Sequence, residues 1–146
     1  MRILGIDHGD RHIGLAVSDP LGLTAQPLGT FDIRADDREN RRFFRDLAAK
    51  WDIKRIVLGY PLRMDGSAGT RAAKTETFAA WLRETLELPV DLWDERLTTR
   101  EALHLLADRK LKGKTKKDVE DEVSAVIILA AYLESRRSDN HDSPDS

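Results

Sequence analysis

Three separated carboxylates are the side chains of this sequence best suited to chemistry. Asp7 ends an apolar run and precedes a glycine by two residues, Glu95 lies between a strand-like and a helix-like segment, and Asp121 begins a long apolar segment. Acidic side chains are rarely buried unless a cation or hydrogen-bond donors compensate their charge. Each of the three therefore predicts either a local structural contact or a bound ligand.

A structural interpretation competes with the functional one at each position. Turn amides could satisfy Asp7, and first-turn acids such as Asp121 are ordinary at a helix N-terminus. Thr98 and Glu101 have the spacing of a capping box at a helix N-terminus. Glu95 precedes this cap, so helix capping does not explain it. Asp121 shares a helical face with Ala125 and Ile128 rather than with polar residues, so it is predicted to point inward.

Oxygen ligands of this kind are those that Mg²⁺ and Mn²⁺ prefer, and a few carboxylates leave coordination positions open for water and phosphate. Two such ions about 4 Å apart can activate a water and stabilise the leaving oxygen in phosphodiester cleavage. The sequence contains no cysteine, which excludes disulfides, thiolate zinc sites and cysteine nucleophiles.

Basic side chains cluster in one segment, although the chain as a whole is nearly neutral. There are 24 basic and 26 acidic residues, for a formal net charge of −2. Residues 109–117 contain six lysines and arginines and no acid, a run that could contact phosphates. From charge alone, a solvated loop is the simpler interpretation.

The elements that position these residues follow from hydrophobic periodicity. Strands are predicted over residues 2–7, 13–18, 28–31, 55–59 and 90–93, and helices begin near residues 37, 70, 98 and 118. The first helix is expected to bury Phe43, Phe44, Leu47, Ala48 and Trp51, and the second Ala73, Thr77, Ala80, Trp81 and Leu82. The last helix is apolar nearly all round.

The predicted order is β-β-β-α-β-α-β-α-α, which favours an α/β fold. An antiparallel hairpin followed by β-α units gives a mixed central sheet with helices on both faces. Sites in such sheets collect at the carboxyl ends of the parallel strands.

The sequence has nine aromatic residues, three Trp, two Tyr and four Phe. Several of them look like core, so no base-stacking platform is indicated.

A chain of 146 residues is long enough for one domain with a sizeable core. We expect residues 1–137 to form this domain, and residues 138–146, with three acids and no base, to form a disordered acidic tail. The longest apolar stretch, residues 125–133, is about half of the ~20 residues that a membrane span needs. No signal peptide is recognised, so a cytoplasmic protein without a membrane partner is expected.

Four ordered blocks of the sequence resemble the YqgF/RuvX family, the Holliday-junction-resolvase-like proteins of the RNase H-like superfamily, also described as pre-16S rRNA nucleases. The blocks are Gly5-Ile-Asp-His-Gly-Asp-Arg-His-Ile-Gly14 with Ala16-Val-Ser-Asp19, Val57-Leu-Gly-Tyr-Pro-Leu-Arg-Met-Asp-Gly-Ser67, Asp94-Glu-Arg-Leu-Thr-Thr99, and Asp121 leading into Ser124-Ala-Val-Ile-Ile-Leu129. They span nearly the whole chain in the family's order. The resemblance implies an RNase H-like nuclease domain.

The resemblance also implies the site. Asp7, Glu95 and Asp121 fall on the family's catalytic acidic triad, which would hold Mg²⁺ or Mn²⁺, two ions in all. Asp118, one turn before Asp121, is a further candidate metal ligand, although capping the helix is its simpler role. His8 and His12 are expected to be structural or to face the substrate, because hard ions favour oxygen.

Contacts to nucleic acid are implied in the same way. The candidate residues are Arg11, Arg63, Arg96, Thr98, Lys110, Lys112 and Lys114. The chain departs from the family pattern at Asp10, where a small polar residue is usual, at Arg63, where Asn is usual, and at Tyr60, where an aliphatic residue is usual. Asp10 could add negative charge near the metal ions or pair with Arg11.

The expected function is a metal-dependent endonuclease acting on structured nucleic acid, and two substrates fit. One is a four-way DNA junction, whose symmetric incision would require a homodimer with two active sites. The other is precursor 16S rRNA, trimmed at its 5′ end. The alternatives are a catalytically idle RNA- or ribosome-binding module, which an intact triad argues against, and a nucleotide-binding phosphotransferase, which would need a second lobe.

Overall fold

A five-stranded mixed sheet lies at the centre of the protein. The computed structural model describes residues 1–97 and 116–142, with the side chains of residues 1–96 and 122–137. The elements are β1 (Arg2–His8), β2 (His12–Ser18), β3 (Ala25–Asp32), α1 (Asp37–Lys50), β4 (Ile53–Tyr60), α2 (Thr70–Leu86), β5 (Val90–Asp94), a 3₁₀ helix (Glu95–Leu97) and α3 (Lys116–Asp142). The predicted helix from residue 98 and the basic segment at 109–115 lie outside the described residues.

The strand order is β3-β2-β1-β4-β5, so β1 is the central strand. It pairs antiparallel with β2 and parallel with β4, which in turn pairs parallel with β5. The mixed sheet predicted from the sequence is confirmed. Because β1, β4 and β5 run in one direction, Asp7, Gly59 and Asp94 all lie at the same edge of the sheet.

The sheet separates two apolar cores, and each has its own helices. One core joins Leu4 and Ile6 of β1 to α1 and α2, and the other joins Ile3 of β1 to Ala125 and Leu129 of α3. Side chains alternate between the faces of a strand. Asp7 therefore belongs to the α3 face, with Ile3, and His8 belongs to the opposite face.

Helix α1 follows its sequence pattern closely. The Asp36 side chain caps its first turn by accepting a hydrogen bond from the Arg38 amide, and the predicted apolar residues 43, 44, 47, 48 and 51 all pack against the core. Helix α2 follows the prediction only in part, since Leu82 is buried and Trp81 packs against the core. Its buried residues are Ala72, Thr75, Ala79, Leu82 and Thr85, whereas Ala73, Thr77 and Ala80 are exposed.

Helix α3 packs unusually close to β1. A Cβ atom on Gly5 would lie 2.7 Å from the Leu129 Cβ and 3.1 Å from the Ala125 carbonyl oxygen. Met1 and Ile3, at the start of β1, line one cavity with Leu133 and residues 136–137 at the other end of this helix. Helix α3 therefore runs antiparallel to β1, and its first turns lie toward the strand end that carries Asp7.

The last helix is also longer than its sequence predicts. It begins at Lys116 rather than near Asp118 and continues to Asp142, into the segment expected to be a disordered tail. Each residue added to an existing helix gains a backbone hydrogen bond without a new nucleation cost, so polar residues can extend a helix that is already formed. Within the described residues, no helix is both long and apolar enough to cross a membrane.

Candidate active site at the carboxyl ends of the parallel strands

Two of the three predicted carboxylates meet at the edge of the sheet. Asp7 is near the end of β1, and Glu95 opens the 3₁₀ helix that follows β5. The two carboxyl groups lie within hydrogen-bonding reach of each other, and two carboxylates this close repel each other unless a proton or a cation lies between them. Two residues that are distant in the sequence thus form one acidic pair.

A missing side chain makes room for this pair. Gly59 lies near the end of β4, between β1 and β5. A Cβ atom at that position would lie 2.6 Å from Glu95 Oε1 and 2.6 Å from the Ile128 Cδ1 of α3. The Glu95 carboxyl therefore occupies the space that any other residue at position 59 would fill.

Glu95 is held where its charge is unfavourable. Its pKa is raised, chiefly because burial removes water from the carboxylate and also because Asp94 is negatively charged; the hydrogen bond from Asp7 and the charge of Arg71 act in the opposite direction. A carboxyl group with a raised pKa at a strand end is a feature of functional sites. A bound cation is the kind of partner that would offset this cost.

Asp121, the third predicted carboxylate, lies in α3, but its side chain is outside the described part of the structure. It is one helical turn before Ala125, whose carbonyl oxygen approaches Gly5. That places its backbone at the end of α3 nearest Asp7. No group of three acidic or histidine side chains suited to a metal ion occurs among the described residues, and Asp118 likewise lies in α3 without a described side chain.

Arg71, in the first turn of α2, is a site residue that the sequence analysis missed. Its guanidinium donates to the His8 carbonyl oxygen and lies 2.7 Å from the Asp10 carboxylate, and its charge lowers the Glu95 pKa. The sequence offered one signal. A basic residue in a first turn opposes the helix dipole, which favours acids there, and α2 has no acid in its first turn.

Comparison with known proteins agrees with this geometry. Residues 1–135 match the family model RuvX, described as Holliday junction resolvase. The chain belongs to the RuvX family. A relative from Lachnospira eligens named "Putative pre-16S rRNA nuclease" is 43% identical over 139 residues, covering 94% of this chain and 99% of the relative. A relative of the same name from Geobacillus kaustophilus is 43% identical over 138 residues, 94% of this chain and 100% of its own length.

Among solved structures, T. thermophilus RuvC in complex with a Holliday junction substrate superposes with a TM-score of 0.59 at 14% identity, covering 94% of this chain and 96% of that one. At this identity the likeness shows the fold. The RNase H-like fold expected from the sequence is confirmed.

The basic residues of the RuvX motifs have distinct surroundings in this chain. Arg96 makes a paired contact with Asp94, with Nε 3.1 Å from Oδ1 and Nη2 2.7 Å from Oδ2, which holds the pKa of Asp94 below its usual range. Its guanidinium also lies against Gly66 of the 61–69 loop. Arg96 therefore fixes the residue beside Glu95. Thr98 lies outside the described residues.

Arg11 and Arg63 lie on segments next to the same edge. Arg11 is exposed in the turn between β1 and β2, and the Arg63 guanidinium packs against Gly69 just before α2. Asp10 pairs with Arg71 and with Lys74, whose Nζ lies 3.3 Å from its carboxylate. The departure from the family pattern at position 10 therefore places a negative charge beside α2. The predicted contacts Lys110, Lys112 and Lys114 lie outside the described residues.

His8 lies on the other face of β1. Its ring stacks on Phe78 of α2 with centroids 4.2 Å apart. Burial, aided by the nearby charge of Arg71, lowers the pKa of His8 to about 4, and among the described residues its Nδ1 has no hydrogen-bond partner. His8 is therefore an uncharged aromatic surface at neutral pH.

Proposed function

We propose that this chain is a metal-dependent endonuclease that hydrolyses phosphodiester bonds of structured nucleic acid. The observation that carries the proposal is the Glu95 carboxyl, which lies against Gly59 and within hydrogen-bonding reach of Asp7 at the carboxyl ends of three parallel strands. The names of the family and of its relatives agree with a nuclease. Residues 1–137 would form the nuclease domain.

The donor set fits Mg²⁺ or Mn²⁺. Carboxylate oxygens are the preferred ligands of these ions, and the raised pKa of Glu95 marks a position where positive charge would be favourable. Asp7, Glu95 and Asp121 would hold the ions, two in all, with Asp118 as a further ligand. When bound, the ions supply Lewis-acid activation of water and stabilise negative charge on the reacting phosphate and leaving oxygen.

The chain's own groups would position the substrate. The charge of Arg71 already acts on the acidic pair by lowering the pKa of Glu95, and Arg11 and Arg63 lie next to the same edge of the sheet. Contacts of this kind, joined by Arg96, Thr98, Lys110, Lys112 and Lys114, grip the sugar-phosphate backbone without reading its sequence. Recognition would then be of shape, and the products would carry a 5′-phosphate and a 3′-hydroxyl.

Two substrates remain in the proposal, each supported by a different comparison. The relatives' names support precursor 16S rRNA. The family description, and the Holliday junction bound in the RuvC structure, support a four-way DNA junction. Symmetric incision of a junction would require two copies of the chain related by a two-fold axis. A catalytically idle RNA-binding module is the alternative function.

Cleavage by the purified chain tests the proposal. A labelled four-way junction and a 5′-extended 16S leader RNA are offered side by side with Mg²⁺, Mn²⁺ or EDTA. Asp7→Asn should abolish cutting, whereas Asp46→Asn, an exposed acid on α1, is the matched control for loss of one negative charge. Paired cuts in the junction identify a resolvase, and trimming of the leader alone identifies an rRNA-processing enzyme. If both substrates are bound and neither is cut, the endonuclease proposal fails.

A further inference from the structure

An open apolar pocket lies on the face of the sheet opposite to Asp7. It has a volume of about 270 Å³ and is lined by residues of β1–β3, the start of α1 and the exposed side of α2, among them His8, Ile13, Phe31, Phe44, Phe78 and Trp81. Phe44 is buried, as the sequence predicts, and Phe31 is buried with it. The same core region nevertheless has five rings bordering a space that is open to solvent.

The walls of this pocket are flat and aligned. The His8 ring stacks on Phe78 with an interplanar angle of 9°, and Phe78 stacks on Trp81 at 16° with centroids 5.6 Å apart. Trp81 is held in place by a hydrogen bond at the pocket wall, because its Nε1 donates to the lining residue Asp37 at 3.0 Å. A planar aromatic guest would therefore meet rigid, parallel rings rather than flexible aliphatic chains.

Positive charge connects the pocket to the acidic pair. Lys74 lines the pocket, and Arg71, one turn earlier on the same face of α2, donates to the His8 carbonyl oxygen and lowers the pKa of Glu95 by its charge. Both cations pair with the Asp10 carboxylate, so the three groups together carry one net positive charge. His8 directly follows Asp7 in β1, so the pocket mouth and the acidic pair lie at the same strand end, on opposite faces. A ligand with an aromatic ring and a phosphate chain matches this arrangement.

We propose that the pocket receives one unstacked nucleobase of the substrate strand, next to the phosphate held at Asp7 and Glu95. The inference rests on the proposed function and extends it to how the strand is held. Proteins that bind single-stranded loops and ends stack splayed bases on aromatic and histidine rings, and Lys74 and Arg71 would bind the phosphates on either side. A buried side chain of a protein partner would use the same apolar walls but would not need these cations.

Fluorescent base substitution tests this placement. The full chain carries Asp7→Asn, which we expect to bind without cutting. In each substrate, the leader RNA and the junction, 2-aminopurine replaces one base at a time. We expect strong quenching at a single position, and roughly ten-fold weaker binding when that position is made abasic, the loss typical of one stacked base.

Two tryptophan substitutions on α2 provide matched variants. Thr77→Trp places a ring in the pocket mouth, whereas Ala80→Trp adds the same ring at an exposed position outside the lining. Thr77→Trp should remove the position-specific quenching and Ala80→Trp should keep it, with melting curves showing that both variants fold. Quenching spread evenly over many positions, or unchanged in Thr77→Trp, would overturn the proposal.

The same experiment separates this inference from the proposed function. If the wild-type chain cuts neither substrate but the quenching is found and is lost in Thr77→Trp, the pocket binds a base and the endonuclease proposal is wrong. If the wild-type chain cuts and no position is quenched, the pocket proposal alone is wrong.

Discussion

We expect the ionised Glu95 side chain to reduce folding stability when no cation is bound. Its raised pKa means that the folded protein holds the proton more tightly than the unfolded chain does, so ionisation above that pKa costs folding free energy. The sequence could single out Glu95, because the capping box after it left it unexplained. It could not show that Gly59 supplies the space, since a glycine in an apolar run has several common roles.

We predict that Glu95→Gln raises the melting temperature of the metal-free protein by a few degrees at pH 8. The neutral amide avoids the cost of a buried charge, so the gain should shrink as the pH falls through the raised pKa, where the wild-type carboxyl is also neutral. Mg²⁺ should stabilise the wild-type protein and leave the variant nearly unchanged. Thermal unfolding in EDTA and in Mg²⁺ measures both effects. A variant less stable than wild type at pH 8 contradicts the prediction.

Arg71 should govern the pH dependence of cleavage. Because its charge lowers the Glu95 pKa, Arg71→Ala should raise that pKa and move the acid limb of the cleavage rate to higher pH at a fixed Mg²⁺ concentration. Arg71→Lys keeps the positive charge, so the acid limb of the cleavage rate should stay at the wild-type pH. A residue that only anchored the β1–β2 turn would lower the rate at every pH equally, and that outcome would reduce Arg71 to a structural role.

His8 should make the protein sensitive to mild acid. The unfolded chain protonates this residue near pH 6.5, whereas burial holds the folded-state pKa at about 4, so stability is lost as the pH falls between these values. The loss at pH 5 would reach up to about 2 kcal/mol, reduced by whatever water screens the half-buried ring. Urea unfolding of the wild-type protein and of His8→Phe at pH 7.5 and pH 5 measures how much of the loss in unfolding free energy is due to His8. Equal losses in both proteins would contradict the assignment.

At the scale of elements, two glycines, Gly5 and Gly59, allow α3 to approach the sheet closely. Substituting each by alanine should have a different effect on activity. Gly59→Ala pushes a methyl group against the Glu95 carboxylate and Ile128, whereas Gly5→Ala meets Leu129 and the α3 backbone away from the acidic pair. We expect each to cost about 1–3 kcal/mol of stability. Only Gly59→Ala should also abolish cleavage below its melting temperature. Equal residual activity in the two folded variants would count against a Gly59 role at the site.

The elements differ in how far the sequence determined them. Helix α1 was predicted correctly because its aromatic residues form a single apolar stripe. Helix α2 carries alanines and threonines on several faces, so periodicity identified Leu82 and Trp81 correctly but chose the wrong small residues. The long-range contacts that bury Thr75 decide which of them face the core. The 3₁₀ helix that presents Glu95 was not foreseen, because three residues are too few to show a period.

At the scale of the whole molecule, binding of nucleic acid should depend strongly on salt, because a near-neutral chain must concentrate its basic groups to hold a polyanion. Replacing Lys110, Lys112 and Lys114 by Gln should reduce the slope of log affinity against log salt by about 0.9 for each duplex phosphate that the variant no longer neutralises. The matched control is Lys50→Gln with Lys54→Gln, two exposed lysines at the opposite end of the sheet. An unchanged slope in the triple variant would show that Lys110, Lys112 and Lys114 do not neutralise phosphates of the substrate.

The order of the elements along the chain makes the proposed acidic site one of the last features to be completed during synthesis. Strands β1, β2 and β3 emerge from the ribosome first and can pair with one another. At that stage Asp7 is already near the end of β1. Gly59 follows on β4, then Glu95, and last α3, which covers the face to which Asp7 belongs. If Asp121 joins Asp7 and Glu95 as proposed, the acidic site is complete only after α3 has been made. If the protein cleaves RNA as proposed, it would therefore be inactive while it is still being translated by the ribosome, whose own RNA is close by.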